Sequence, residues 1–346
     1  MAYAGTHYIG KTGVERYYEE LLHGTVGYEE VETNARGRVL RVLSRTEPVA
    51  GKDLTLQLDA NLQRVAEEAL GDRRGAVVAI DPATGGVLAF VSKPGFDPNL
   101  FVTGISYADY GALRDSLDQP LFNRVLRGQY PPGSTIKPVV ALSGLDSGAT
   151  TRSARVYDPG FFQLPNFSHK YRNWNRSGDG WVDMSYAIAR SNDTYFYDLA
   201  NKMGIDKMHD YLTRFGIGQR VSIDMYEEAP GLMPSSEWKR NKYKQPWYPG
   251  ETLIAGIGQG YMLATPLQLA QTMALIANHG KWHRPRLLMD AEGIPPDESD
   301  TPDDIKLRDE SDWGFITQAM QDVMQSPHGT ARAAAKGAEY NMAGKS

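Results

Sequence analysis

An α+β fold is what this 346-residue sequence predicts, on three observations. Two short apolar runs come early and most amphipathic helical patterns follow them, the order expected of an antiparallel sheet flanked by helices. The composition, 41% hydrophobic and 23% charged, is that of a packed chain and excludes general disorder. No stretch approaches 18 consecutive apolar residues, and Met1 to Gly10 has no basic start followed by an apolar run, so neither a membrane-spanning helix nor a leader is expected here.

The first fifty residues are polar and charged. An amphipathic helix is expected from Val14 to Leu22, with Tyr17, Tyr18, Leu21 and Leu22 on one stripe. Thr25 to Leu43 alternates charged and apolar residues and reads as extended arms. Pro48 to Gly51 marks a boundary, dividing 1–52 from a main domain of 53–346. Asp59 is a good N-cap for a helix that runs to Leu70 and stops at Gly71. The apolar runs Ala76 to Asp81 and Val87 to Ser92, joined by Pro82-Ala83-Thr84-Gly85-Gly86, read as a hairpin within a sheet covered on both faces. Helical patterns follow at Ile136 to Leu145, Met184 to Met203, Lys207 to Phe215, Pro266 to His279 and Trp313 to Met324. Asp290 to Asp312 carries ten acidic residues against Lys306 and Arg308, and reads as a solvated surface loop.

Charge and residue usage narrow the function. With 37 Lys and Arg against 42 Asp and Glu, the net charge of -5 argues against a nucleic-acid binder. The absence of cysteine excludes disulfides, thiolate metal sites and a cysteine nucleophile.

The sharpest local feature is Tyr130-Pro131-Pro132-Gly133-Ser134-Thr135-Ile136-Lys137-Pro138. The prolines and glycine force a tight turn, and a helix is expected to begin near Ser134, where backbone N–H groups favour developing negative charge. Lys137 lies three residues on, on the same helix face. Held against the Ser134 hydroxyl and desolvated, it would serve as general base for a serine nucleophile. Spacing alone does not separate this from an N-cap serine with a solvated lysine, and Ser-x-x-Lys recurs at Ser236-Glu237-Trp238-Lys239. Ser191-Asn192-Asp193 is either a second functional element or a polar kink between helical segments. A third element, a cation beside a hydroxyl, is offered by Lys345-Ser346, where Tyr340 to Gly344 could begin a strand. Lys11-Thr12-Gly13 offers the same pair but opens a small polar helix and reads as a decoy. Of the histidines, His279 and His283 are separated by a broken helix, and His169 beside Ser168 lies in a polar loop. Of the aromatics Phe161, Phe162, Tyr171, Trp174, Trp247 and Tyr248, most are expected to pack the core, with Trp174 and Trp247 the cleft candidates.

The set Ser-x-x-Lys, Ser-x-Asp and Lys-Ser resembles the three motifs of the penicillin-binding proteins and β-lactamases. The resemblance extends in order across nearly the whole chain, through Gly10 to Gly13, Glu19 to Gly24, Asn34 to Arg38, Asp158-Pro159-Gly160, Gln163-Leu164-Pro165, Lys244 to Tyr248 and Gly256 to Tyr261. It is to the elongation-specific class B family of monofunctional transpeptidases in Gram-negative bacteria, penicillin-binding protein 2.

That resemblance implies a transpeptidase fold, an antiparallel sheet flanked by helices plus an all-helical region, preceded by a remnant of an N-terminal pedestal. It implies that Ser134 attacks the D-alanyl-D-alanine carbonyl of a peptidoglycan stem pentapeptide, releases D-alanine, and passes the acyl group to the amine of an acceptor stem peptide. Lys137 would take the proton, Ser191 would shuttle one to the leaving amine, Asp193 would orient the site, and Asn192, Lys345 and Ser346 would hold substrate. The backbone N–H of Ser134 and one from a strand beyond Ser346 would form an oxyanion hole. β-Lactams would acylate Ser134 and stay. A membrane glycan polymerase and elongation-complex scaffold proteins are the implied partners, with the periplasmic face of the inner membrane as the location. The family's third motif normally continues through glycine and threonine, so the chain is expected to be a fragment short of its last strands and its anchor. An interaction module or a D,D-carboxypeptidase stands as the alternative. Some relatives bind zinc through two aspartates, a histidine and a cysteine; the matching positions here are Asp158, Asn173, Asp179 and Asn192, a poor zinc set, and no metal or other cofactor is expected.

Overall fold

The computed structural model describes residues 9–102, 104–293 and 299–346. Most of Met1 to Gly10, and 294–298 within the acidic segment, lie outside the described residues. The expected helix at Val14 to Leu22 is two pieces, α1 (Gly13–Tyr17) and α2 (Glu19–Leu22), which break at Tyr18. Tyr18 departs from helical geometry so that its ring can be buried against Leu288 and Ala291, far along the chain. Lys11 lies exposed ahead of α1. The extended arms form an antiparallel ribbon of β1 (Tyr28–Thr33) and β2 (Val39–Thr46), whose β2 residues are all exposed.

β3 (Thr55–Leu56) leads into α3 (Ala60–Leu70), capped by the Asp59 carboxylate on the N–H groups of Asn61 and Leu62, a bond set worth about 1 kcal/mol. The expected hairpin is β4 (Gly75–Ile80) and β5 (Val87–Lys93), antiparallel, with Val77 opposite Val91 and Val78 opposite Phe90. Side chains alternate across it. Val77, Ala79, Ala89 and Val91 meet Ala66 and Leu70 of α3, while Ala76, Val78 and Phe90 face the main core. Both faces are thus covered.

α4 (Tyr107–Arg114) and α5 (Arg124–Arg127) precede α6 (Lys137–Asp146). Nine of the ten residues of α6 are buried, as expected of a helix apolar on every side at the centre of a domain. Gly144 lets it approach Leu199 closely. Four short strands follow, β6 (Val156–Asp158), β7 (Phe161–Gln163), β8 (Lys170–Arg172) and β9 (Gly180–Val182), paired β6 with β9 and β7 with β8. The single run expected from Met184 to Met203 is α7 (Met184–Arg190) and α8 (Asp193–Met203), separated at Ser191, whose backbone is left-handed with φ 58.

α9 (Ile205–Arg214), α10 (Ser236–Tyr243), α11 (Pro249–Ala255) and α12 (Pro266–Ala277) complete the helical region. β10 (Leu288–Asp290) returns to pair with β3. α13 (Ser311–Gln325) and α14 (Arg332–Ala335) close the described elements.

Two expectations are corrected. The acidic segment is not merely solvated: Ile305 and Leu307 are buried, the Asp304 carboxylate accepts the Trp282 N–H, and Asp309 and Asp312 both hold Arg152. Nor does Tyr340 to Gly344 begin a strand. A strand needs a ladder partner, and among the described residues this stretch has only the bond from Gly344 N–H to Met320 O.

Candidate active site

Ser134 stands in a 3-10 turn, Gly133–Ile136, that precedes α6. Two bulky prolines and Gly133 at φ 57 make the approach. The segment 258–264 clasps this turn. Gly258 O accepts the Gly133 N–H at 2.8 Å, and Tyr130 and Ala264 exchange two backbone bonds of 3.0 and 2.9 Å. Gly258 itself has φ 73, and a Cβ there would run into the Gly133 backbone. Spacing gives Gly258 no role; in the sequence it stands only within the Gly256 to Tyr261 stretch of the family resemblance.

Lys137 opens α6 one turn after Ser134 and is fully buried. Its Nζ donates to Asp193 Oδ1 at 2.7 Å, Ser191 O at 2.9 Å and Ser191 Oγ at 3.3 Å. The hydrogen bonds of Nζ thus run to the 191–193 turn and not to the Ser134 hydroxyl, beside which the sequence sets it. Nζ turns inward to the 191–193 turn, where a carboxylate and a carbonyl are its nearest acceptors, as suits a buried cation. Burial nonetheless pulls the Lys137 pKa down, against the opposing pull of Asp193.

Ser191, Asn192 and Asp193 occupy the break between α7 and α8, and the left-handed backbone at Ser191 turns its hydroxyl toward two lysines. Lys345 Nζ donates to it at 2.9 Å. Burial, helped by the charge of Lys137, lowers the Lys345 pKa to about 7. Of the expected site residues, Ser191, Asp193, Lys137 and Lys345 therefore meet at one point, with Ser134 a single turn away. Ser346 is exposed and its hydroxyl pairs with Thr330 Oγ1 at 2.7 Å.

Asn192 is corrected from a substrate contact to a buried lock. Its Nδ2 donates to Asp158 Oδ2 and Asp179 Oδ2 at 2.7 and 2.9 Å, and its Oδ1 caps α8 through the Tyr195 N–H. Asn173 matches it, with Nδ2 on Asp158 Oδ2 at 2.7 Å and Oδ1 accepting the Asp193 N–H at 3.0 Å. Asp158 also accepts from Thr194 Oγ1 and from the N–H groups of Gly160 and Asp179. The four positions that resemble a zinc set are thus together, but both amides turn donors toward the carboxylates where a cation would need lone pairs. The residues do not fit zinc. Among the described residues, no cluster of three or more His, Cys, Asp or Glu is arranged to hold a metal.

Trp174, a cleft candidate, is half exposed; its backbone N–H donates to Asp193 Oδ2 at 3.1 Å and its ring carries the Arg190 guanidinium at 4.4 Å. Trp247 instead packs against the core and donates its indole N–H to Thr252 Oγ1 at 2.8 Å. Tyr248 is exposed, and Tyr171 packs beside Tyr197.

A serine at a tight turn, a buried lysine with a lowered pKa, and a hydroxyl bridged to a second lysine are the groups that active-serine acyl transfer would need. Comparison with known proteins agrees. Residues 75–346 match the penicillin binding protein transpeptidase domain, and 1–56 match the penicillin-binding protein dimerisation domain. The chain belongs to the penicillin-binding protein transpeptidase family. It is 50% identical over 346 residues to the peptidoglycan D,D-transpeptidase MrdA of Acinetobacter baumannii, covering 99% of this chain and 51% of that protein. The chain therefore spans about half the length of that curated relative. The crystal structure of Pseudomonas aeruginosa PBP2 in complex with WCK 5153 superposes with a TM-score of 0.93 at 59% identity, over 99% of this chain and 72% of that one. PBP2 of Helicobacter pylori, in its complex with MreC, gives 0.88 at 33% identity, over 97% and 61%.

Proposed function

We propose that the protein is a serine-type peptidoglycan D,D-transpeptidase of cell elongation. The observation that carries this is the convergence of Lys137, Ser191, Asp193 and Lys345 one turn from Ser134, in a chain of this family. Ser134 Oγ attacks the carbonyl between the two terminal D-alanines of a stem pentapeptide. In the substrate complex, where catalytic hydrogen bonds tighten, neutral Lys137 takes the hydroxyl proton, a role its burial prepares by lowering the cost of deprotonation. The C–N bond breaks, and the leaving amine of D-alanine is protonated through Ser191 Oγ, which lies within reach of both lysines. Asp193 keeps Lys137 in place. The acceptor amine then attacks the ester carbonyl, loses its proton along the same path in reverse, and frees Ser134 with the cross-link made. Lys345, when charged, pairs with the terminal carboxylate.

β-Lactams acylate the same hydroxyl by opening the ring C–N bond, and the tethered leaving group blocks the acceptor. Related structures, of PBP2 in complex with MreC and of a peptidoglycan synthase complex that coordinates polymerization and crosslinking, support scaffold and glycan-polymerase partners. A location at the periplasmic face of the inner membrane follows from that reading. No helix among the described residues is long and apolar enough to cross a membrane. The test is covalent labelling of the full-length gene product by a fluorescent penicillin. Labelling is expected in the wild type and absent in Ser134→Ala; a labelled Ser134→Ala protein would refute the assignment.

A further inference from the structure

The second Ser-x-x-Lys of the chain lies on α10 and takes no part in the chemistry above. Yet Lys239 is only 1% exposed, and a buried ammonium is costly unless paired. Its partner is Glu251, at the third position of α11, whose other oxygen accepts the Tyr248 N–H at 2.9 Å. Three rings surround Nζ, Tyr248 at 4.4 Å and Trp247 and Tyr261 each at 5.8 Å. Trp238 packs edge-on against Tyr261 at 5.1 Å.

This box grips a segment that leads to the nucleophile. α11 runs into Gly256, where a Cβ would collide with Ala200 of α8, and then into Gly258, whose carbonyl holds the Gly133 N–H. Tyr261 follows, and Ala264 pairs with Tyr130. The stretch 258–264 therefore holds the nucleophile turn at both ends, and Lys239 holds that stretch through Glu251 at one end of α11 and through the ring of Tyr261. Ser236 is occupied elsewhere, with its N–H and hydroxyl on the Asp206 carboxylate at 2.8 and 2.7 Å.

We propose that Lys239 is a positioning residue for Ser134: its ion pair with Glu251, inside the aromatic box, fixes the 256–264 segment and through it the Tyr130 to Ser134 turn. The proposal rests on the reading of Ser134 as nucleophile. Misplacing a reacting atom by a fraction of an ångström slows chemistry while leaving ligand capture largely intact.

The experiment is stopped-flow acylation of the full-length gene product by a fluorescent penicillin. Lys239→Met should lower the acylation rate at saturating penicillin about tenfold, with the half-saturating concentration within about threefold. The pH profile should keep its wild-type midpoints, because Lys137 and Lys345 are untouched. Glu251→Gln, which retains an acceptor for the Tyr248 N–H, should move the rate in the same direction, and Ser236→Ala should behave as wild type. Rates are taken per labelled serine, so that unfolded protein is not counted. Saturating rates within about twofold of wild type in both variants would overturn the proposal, as would a raised half-saturation at an unchanged rate. If Lys239→Met does not fold, Glu251→Gln decides by the same criterion. A wild-type protein that takes no label at all would remove the reading of Ser134, an outcome distinct from failure of the clamp.

Discussion

Lys345 Nζ donates to Ser191 Oγ at 2.9 Å, joining positions 154 residues apart. Lys137 reaches the same hydroxyl from the other side at 3.3 Å. Two cations cannot both sit comfortably at one hydroxyl in a poorly solvated place, and after burial the charge of Lys137 is what makes Lys345 easier to deprotonate.

The first prediction is a pH dependence of two kinds. Lys345 titrates near pH 7 when folded, against an ordinary 10.5. Capture of a carboxylate-bearing β-lactam by the free enzyme should weaken as pH rises through about 7, where the cation is lost. Stability runs the opposite way. Between about 7 and 10.5 the unfolded chain binds a proton at Lys345 that the folded chain does not, so this lysine makes stability rise with pH there. Denaturant titrations across that window should show a smaller rise in Lys345→Met. An identical slope in the two proteins would count against the assignment.

The second prediction concerns Asp158. Five donors converge on this carboxylate, from Gly160, Asn173, Asp179, Asn192 and Thr194. Asp158→Ala strands them in a buried site, and a loss of about 3 kcal/mol or more is expected by urea denaturation. Added zinc, or a chelator, should leave the wild-type melting temperature unchanged. A zinc-dependent rise in melting temperature would contradict the amide lock.

The third prediction is Gly258→Ala. Its positive φ and the absence of room beside Gly133 should together cost more than about 1 kcal/mol. The larger effect falls on chemistry, because the displaced backbone is the acceptor for Gly133. Acylation should drop about a hundredfold. Wild-type acylation in a folded Gly258→Ala protein would show that the clasp does not set the nucleophile.

Local chemistry was legible in the sequence, and long-range pairing was not. Pro131, Pro132 and Gly133 announce the serine turn within a few residues, and Asp59 and Gly71 bracket α3 in the same way. The helical stripes gave α9, α12 and α13 to within two residues at either end. Lys137, by contrast, has its near neighbour Ser134 as the obvious partner in sequence, whereas its hydrogen-bond partners come from 54 and 56 residues away. Asn192 read as a substrate contact because nothing in a triplet tells which side chain turns inward. Tyr18 broke a good amphipathic stripe because its hydroxyl has a buried partner more than two hundred residues on. Lys239, in sequence only the end of a recurring Ser-x-x-Lys, gives its one hint in the aromatics Trp238 and Tyr243 beside it.

That distant partner of Tyr18 supplies the last prediction. The Tyr18 hydroxyl donates to Asp224 Oδ2 at 2.9 Å, and the same carboxylate, 1% exposed, accepts the N–H groups of Leu287 and Leu288. Burial and the neighbouring carboxylate push the Tyr18 pKa well above its ordinary value, so the hydroxyl remains a donor across the physiological range. Tyr18→Phe keeps the ring packed on Leu288 and Ala291 but removes one of the donors to a buried anion. A loss of about 1.5–3 kcal/mol is expected for a hydrogen bond to a charged group. Because Tyr18 ties α1 and α2 to the main domain, the loss should appear first as faster proteolysis within 25–48, before global unfolding. Cleavage there at the wild-type rate, with only the global transition shifted, would mean that this bond stabilises the domain without tethering the arm.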